Sequence, residues 1–188
     1  MSEQRLFTHD AFPVIAPVAT RFTPGTRLAT PEGERPVEGL AVGDAVLTRS
    51  GPRRIARVDT RRQARSEWTY DRPAWPIRVP VGSLGNPRPL RLAPDLRVLL
   101  SGPTVHRICE VEEISVMLRD LVGLRGLIVE RPLADLCYHG LSFGIPAVVE
   151  AEGAACEVEG SEGAVVAVDL AREAYHAMHA AGEPPLRG

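Results

Sequence analysis

His176 and His179 stand three residues apart in "AREAYHAMHAAG", a spacing that sets two imidazoles on one side of a helix, within reach of a metal ion. No third ligand accompanies them, so they are expected to be surface residues, and no metal site is assigned. Cys109, Cys137 and Cys156 are odd in number and lack Cys-x-x-Cys spacing. That argues against a disulfide scaffold or a structural zinc and leaves free thiols, buried by default, as the expectation. "SLGNP" has too few glycines, and no following helix, to cradle a phosphate. Trp68, Tyr70 and Trp75 cluster in "SEWTYDRPAWP" beside Arg65 and Arg72. Such a set could stack on a sugar or on another protein's surface, and core packing or strand-edge shielding accounts for it equally well. No cofactor is expected.

The elements that would position these residues are short. Seventeen prolines and seventeen glycines punctuate the chain. Between them "TRLAT", "AVLTR", "RRIARVDTRR", "WPIRVP", "LRVLLSG", "LIVERPL" and "AVVEAEG" each read as a strand. Many short strands with turn signals between them predict an all-β body. Two segments break the pattern. "EEISVMLRDLV" predicts a short helix near 112–122, with Ile114, Met117, Leu118 and Leu121 on one side. "GAVVAVDLAREAYHAMHAAG" predicts a C-terminal helix within 161–182, with Val165, Val168, Leu170, Ala171, Tyr175 and Met178 as its apolar stripe. Gly182, Pro184 and Pro185 end it. Residues 1–20 read as an N-terminal arm, 21–160 as the β domain and 183–188 as a flexible tail.

Composition sets outer bounds. A chain of 188 residues with 44% hydrophobic content can bury one substantial core. The formal net charge of −2 gives no bulk attraction to nucleic acid or to an anionic membrane. Every one of the 22 basic residues is arginine, which we read as the coding bias of a GC-rich, bacterial genome, because they are spread along the chain. No apolar run reaches the roughly 18 residues that span a bilayer. The first twenty residues lack a basic start followed by a continuous apolar core, so no signal peptide is expected and synthesis is placed in the cytoplasm.

Four blocks carry a family resemblance. They are "FTPGTRLATPEGERPVEGLAVGDAVLTRSG", "WPIRVPVGSLGNPRPLRLAPDLRVLLSG", "EISVMLRDLVGLRGLIVE" and "CYHGLSFGIPAVVEAEG". Together they resemble the Hint family, the fold shared by inteins and the autoprocessing domain of hedgehog proteins, and look closest to the alphaproteobacterial Hint-like type. The resemblance runs from about Phe22 to Gly160 and implies a horseshoe-shaped β-fold. It also implies a reaction in which a nucleophile on the first residue attacks the peptide bond just upstream. A Thr/Ser-x-x-His unit would polarise that bond, and a histidine in the closing block would assist.

This chain departs from that pattern at each reactive position. The expected cysteine is Arg21, whose guanidinium stays protonated and is no nucleophile. The Thr/Ser-x-x-His unit becomes Ala93, Pro94, Asp95 and Leu96. The closing histidine aligns with Pro146, and His139 alone survives among the polar site positions. Removing one positioned acid–base group slows such reactions by about 10²- to 10⁴-fold, and two are gone together with the nucleophile. Leu96 and Pro146 are expected to dry the former pocket, and His139 to be a hydrogen-bonded core residue. Arg21 is expected to reach solvent or to pair with Asp95 or Glu150. Asp44, in "VGDAVL", is expected to be an acceptor that stabilises a turn.

The resulting expectation is a non-enzymatic Hint-like module that serves structure, assembly or protein interaction. Its arm and helix would dock on other copies or on a larger partner, such as a phage-like particle or another bacterial assembly. Two alternatives stand beside it. One is an active self-cleaving domain with a relocated nucleophile, drawn from Thr20, Thr23, Cys137 or Cys156. The other is a carbohydrate-binding module built on Trp68, Tyr70 and Trp75.

Overall fold

The computed structural model describes residues 22–68, 72–160 and 162–185. The N-terminal arm, Thr20, Arg21, Tyr70 and the side chain of Trp68 lie outside the described residues. In chain order the strands are β1 (Arg27–Thr30), β2 (Gly33–Pro36), β3 (Ala45–Thr48), β4 (Gly51–Arg54), β5 (Arg57–Gln63), β6 (Ile77–Val79) and β7 (Leu90–Leu92). They continue with β8 (Arg97–Ser101), β9 (Glu113–Met117), β10 (Ile128–Val129), β11 (Leu136–Ser142), β12 (Ala147–Ala151) and β13 (Ala154–Val158). The helices are α1 (Arg65–Trp68), α2 (Pro103–Cys109) and α3 (Val168–Ala180). The all-β body and the C-terminal helix expected from the sequence are both present.

One eight-stranded sheet runs β2-β1-β12-β13-β8-β9, with β3 and β4 branching from β12. Two smaller pieces, β10-β6-β7 and β11-β5, complete the strands. Phe22 joins these two pieces, because it bridges Leu92 of β7 on one side and His139 of β11 on the other. The first described residue is thus the seam of that layer. Its ring is fully buried in the main core, which also takes Leu28, Leu92, Leu96, Leu100 and Tyr175.

Turn chemistry repeats in two hairpins. Thr30 Oγ1 donates to Gly33 O at 2.6 Å across the β1–β2 corner, and Thr48 Oγ1 donates to Gly51 O at 2.7 Å across the β3–β4 corner. Both corners read Thr-x-x-Gly, so the same side-chain clamp closes each. The β12–β13 hairpin turns differently, through Glu152 and Gly153 with φ of 48° and 84°. Two successive positive φ values suit the twist of antiparallel strands. Gly153 has a second constraint, since a Cβ there would lie 2.9 Å from Gly85 O.

Several expectations are corrected. The segment near 112–122 is chiefly strand: Glu113–Met117 pairs with β8, and only Leu118–Leu121 turns as a 3₁₀ helix. β-branched Ile114 and Val116 lock into the pleated pairing, which overrides the helical spacing of the apolar residues. The run "RRIARVDTRR" is two strands broken at Ile55 and Ala56. "LIVERPL" contributes only the two residues of β10. α2 was not foreseen, although Pro103 at its first turn is a helix-start signal.

The C-terminal helix is narrower than its predicted stripe. Its buried side is Ala171, Ala174, Tyr175 and Met178, while Val165 and Val168 are exposed. Arg172 Nη1 donates to Asp120 O at 2.5 Å and to Val122 O at 3.0 Å, and Tyr175 Oη donates to Ser83 O at 2.7 Å. The helix is therefore built into the domain rather than appended to it. Residues 183–185 also differ from the expected flexible tail. Glu183 accepts from Thr104 N at 3.1 Å and from Thr104 Oγ1 at 2.8 Å, and Pro185 is buried. The carboxylate supplies the cap that Gly102, with no side chain, cannot give α2.

Candidate functional site

The Phe22 seam gathers three of the residues that the resemblance singles out, Ala93, Leu96 and His139. Phe22 N donates to His139 O at 2.8 Å, and His139 N donates to Phe22 O at 2.8 Å. On the other flank of Phe22, Leu92 is followed by Ala93, which is buried in a small cluster with Leu136 and Tyr138. Leu96 lies two residues beyond Pro94 in a tight turn, Leu96 N donating to Ala93 O at 3.1 Å, and its side chain is fully buried in the main core. Phe22, Ala93 and His139 thus come together around one seam, with Leu96 just behind it.

Pro146 does not share in this enclosure. It is exposed at the start of β12, where a Cβ on Gly160 would meet its ring at 3.3 Å. The expectation that it dries the pocket is corrected: the turn after Phe143 carries it outward. Arg21 lies outside the described residues. Asp44 accepts Ala41 N at 3.0 Å and pairs with Arg35 at 3.1 Å, an arrangement that holds a turn.

His139 is the polar centre of the seam. It sits on β11 opposite Thr60 of β5, in the register that also sets Cys137 opposite Arg62. Its side chain is nine-tenths buried. Nδ1 lies 3.3 Å from Thr60 Oγ1, and Nε2 lies 3.5 Å from Cys137 Sγ. Strand periodicity explains the second contact, since residues two apart share a face. The i, i+2 spacing of Cys137 and His139 in "CYHG" is the sequence signal for this contact.

Burial pushes the His139 imidazole below its ordinary pKa of 6.5, with Glu38 opposing the shift and Arg62 reinforcing it. The sign for stability follows. The native state keeps the ring neutral where the unfolded chain takes a proton, so this contribution is complete above 6.5. It is lost as the pH falls from there through the lower native value. Unfolding free energy measured between about pH 7 and pH 5 should therefore have a shallower slope in His139→Gln than in the wild type. Parallel slopes would show that this ring carries no such linkage.

The other candidate groups are committed elsewhere. Thr23 Oγ1 donates to Arg91 O at 2.6 Å. Cys156 is fully buried and its thiol is pushed up to about 12, first by desolvation and then by Glu157. Trp75 is half-buried against Ala93, Leu136 and Tyr138, and guanidinium carbons of Arg72 and Arg131 stand 5.7 and 6.0 Å from its ring centre. His176 is exposed, whereas His179 Nε2 lies 3.0 Å from Ser83 O. Among the described residues, no group of three or more His, Cys, Asp or Glu could hold a metal ion, and no helix is long and apolar enough to cross a membrane.

The sequence profile of the Hint domain matches residues 20–159. Among solved structures, the chain is similar to a GSH-linked, splice-inactive variant of the AceL NrdHF class 3 split intein. The two are 14% identical with a TM-score of 0.47, over 76% of this chain and 99% of that chain. No curated protein matches.

Proposed function

The chain belongs to the Hint domain family, and we propose that it keeps the family scaffold without the peptide-cleaving chemistry, acting as a structural or protein-interaction subunit. The observation that carries this reading is the state of the Phe22 seam. Ala93 and Leu96 are buried apolar residues, and by the resemblance they stand where a hydroxyl and an imidazole would be expected. The hydroxyl of Thr23, next to Phe22, is spent on Arg91 O. Cys156 is too deeply buried to ionise near neutral pH.

Cys137 is also an unsuitable replacement for the lost nucleophile. The Phe22–His139 bridge is antiparallel, so residues before His139 run alongside residues after Phe22. Cys137 accordingly lines a cleft with Thr23 and Pro24, on the downstream side of the bond that the family breaks. The partner would be protein, either further copies of the chain or a larger bacterial assembly such as a phage-like particle. A sugar-binding role finds less support, because Trp75 is half-buried with two guanidinium groups near its ring.

Intact mass spectrometry tests the central claim. Purified full-length chain, held with excess thiol and then with hydroxylamine, is expected to keep a single mass. A fragment beginning at Arg21, formed without protease, would overturn it.

A further inference from the structure

We propose that Cys137 is a reactive thiol served by His139 as proton acceptor, and that the cleft beside it admits a small organic disulfide for thiol–disulfide exchange. This site is separate from peptide cleavage, and it stands on three features of the structure. The first is the pair itself, with Sγ 3.5 Å from Nε2. The second is orientation. Thr60 Oγ1 lies 3.3 Å from Nδ1, and in the tautomer the proposal assigns the hydroxyl accepts the Nδ1 proton and leaves the Nε2 lone pair facing sulfur. Thr60 is thereby a positioning residue.

The third feature is access. Cys137 is partly exposed and lines a cleft of about 370 Å³ with Thr23, Pro24 and Leu133 and with the charged residues Arg91, Glu130, Arg131 and Asp135. Leu133 is 91% exposed. Arg62 lies across the strand pair from Cys137. The other two cysteines lack this combination. Cys156 is sealed in the core, and the Cys109 thiol is pushed up by burial and by Glu173.

A disulfide is the electrophile that asks least of such a pair, because its attack develops no oxyanion that would need dedicated donors. Attack on a disulfide needs only a thiolate and a sink for its proton. The Cys137 proton passes to His139 Nε2 and the thiolate attacks one sulfur of the reagent. A mixed disulfide forms, the reagent's S–S bond breaks, and the departing thiolate carries away the electron pair. The His139 proton is released to that thiolate or to water. The reagent disulfide is the oxidant, and no other is required.

The test uses the full chain and dithiobis(nitrobenzoate), an aromatic disulfide whose released thiolate is coloured, with the modified cysteine mapped by peptide mass. At pH 7, Cys137 is expected to react about ten times faster than Cys109 or more, with Cys156 silent until the chain unfolds. His139→Gln should slow Cys137 by roughly tenfold at pH 7, and the two rates should converge above about pH 9.5, where thiols ionise unaided. A merely exposed cysteine would give superimposable pH–rate profiles in both proteins, and that result overturns the proposal. Reaction at Cys109 first overturns it as well. Should His139→Gln fail to fold, Thr60→Val serves in its place: a loss of about threefold at pH 7 that vanishes at high pH supports the assignment, and an unchanged profile refutes it.

Discussion

Phe22→Ala is expected to destabilise the domain by about 3–5 kcal/mol, the usual range for deleting a fully buried aromatic ring. The ring is 0% exposed and lies in the main core. The position also matters for topology. Phe22 is the only link in the described backbone pairing between the β10-β6-β7 piece and the β11-β5 pair. Phe22→Ala keeps the backbone bridge but removes the ring packed beneath it, so the two small sheet fragments are left joined by the bridge over a cavity. Thermal unfolding should therefore shift downward by on the order of 10 °C. Hydrogen exchange at His139 N, which now donates to Phe22 O at 2.8 Å, should quicken more than exchange in the large sheet. A loss under about 1 kcal/mol would mean that the seam closes by other contacts.

The second large effect is expected at Glu157. This carboxylate is 3% exposed on β13. Oε1 accepts Glu162 N at 2.6 Å and Gly163 N at 3.0 Å, and Oε2 accepts the hydroxyl of Ser115 on β9. Arg97 Nη1 donates in turn to Ser115 Oγ at 3.0 Å. The carboxylate thus pins the segment in which Ala164 N donates to Glu113 O at 3.0 Å and Ser115 N donates to Ala164 O at 2.9 Å. Gly163 is pressed against the sheet here, since a Cβ would fall 2.6 Å from Leu99 Cδ2. Hydrogen bonds to a buried charge are worth about 1.5–3 kcal/mol each, and removing their acceptor strands the donors. Glu157→Ala should lose roughly 3–4 kcal/mol in denaturant unfolding, and Glu157→Gln, which keeps one acceptor oxygen, about half of that. If Glu157→Ala unfolds within about 1 kcal/mol of wild type, the network is not what seats the helix on the sheet.

Much of the fold was legible because its signals are local. Proline and glycine punctuation marked the corners, and alternating apolar residues such as Leu28, Val46 and Val98 marked the inward faces of their strands. Short apolar runs were the weak point. Ile114, Met117, Leu118 and Leu121 have helical spacing, yet pairing with β8 makes Ile114 part of a strand, because strand partners lie far away in sequence. Val165 and Val168 failed for the same reason. The chain there is spent on reaching β9, and the helix begins its buried face only at Ala171.

The candidate site divides in the same way. Sequence by itself determined which side chains stand at Ala93, Leu96 and Pro146, none of which can act as an acid or a base. It also determined the family, through blocks of residues whose turns and strands recur together. Only the tertiary structure decided which survivors meet. It turned Pro146 outward, set Phe22 between Leu92 and His139, and laid Cys137 and Thr60 on the two nitrogens of one ring. The physical reason is that hydrogen bonds and burial depend on strand register between distant segments, and a register error of one residue would have sent His139 to the opposite face.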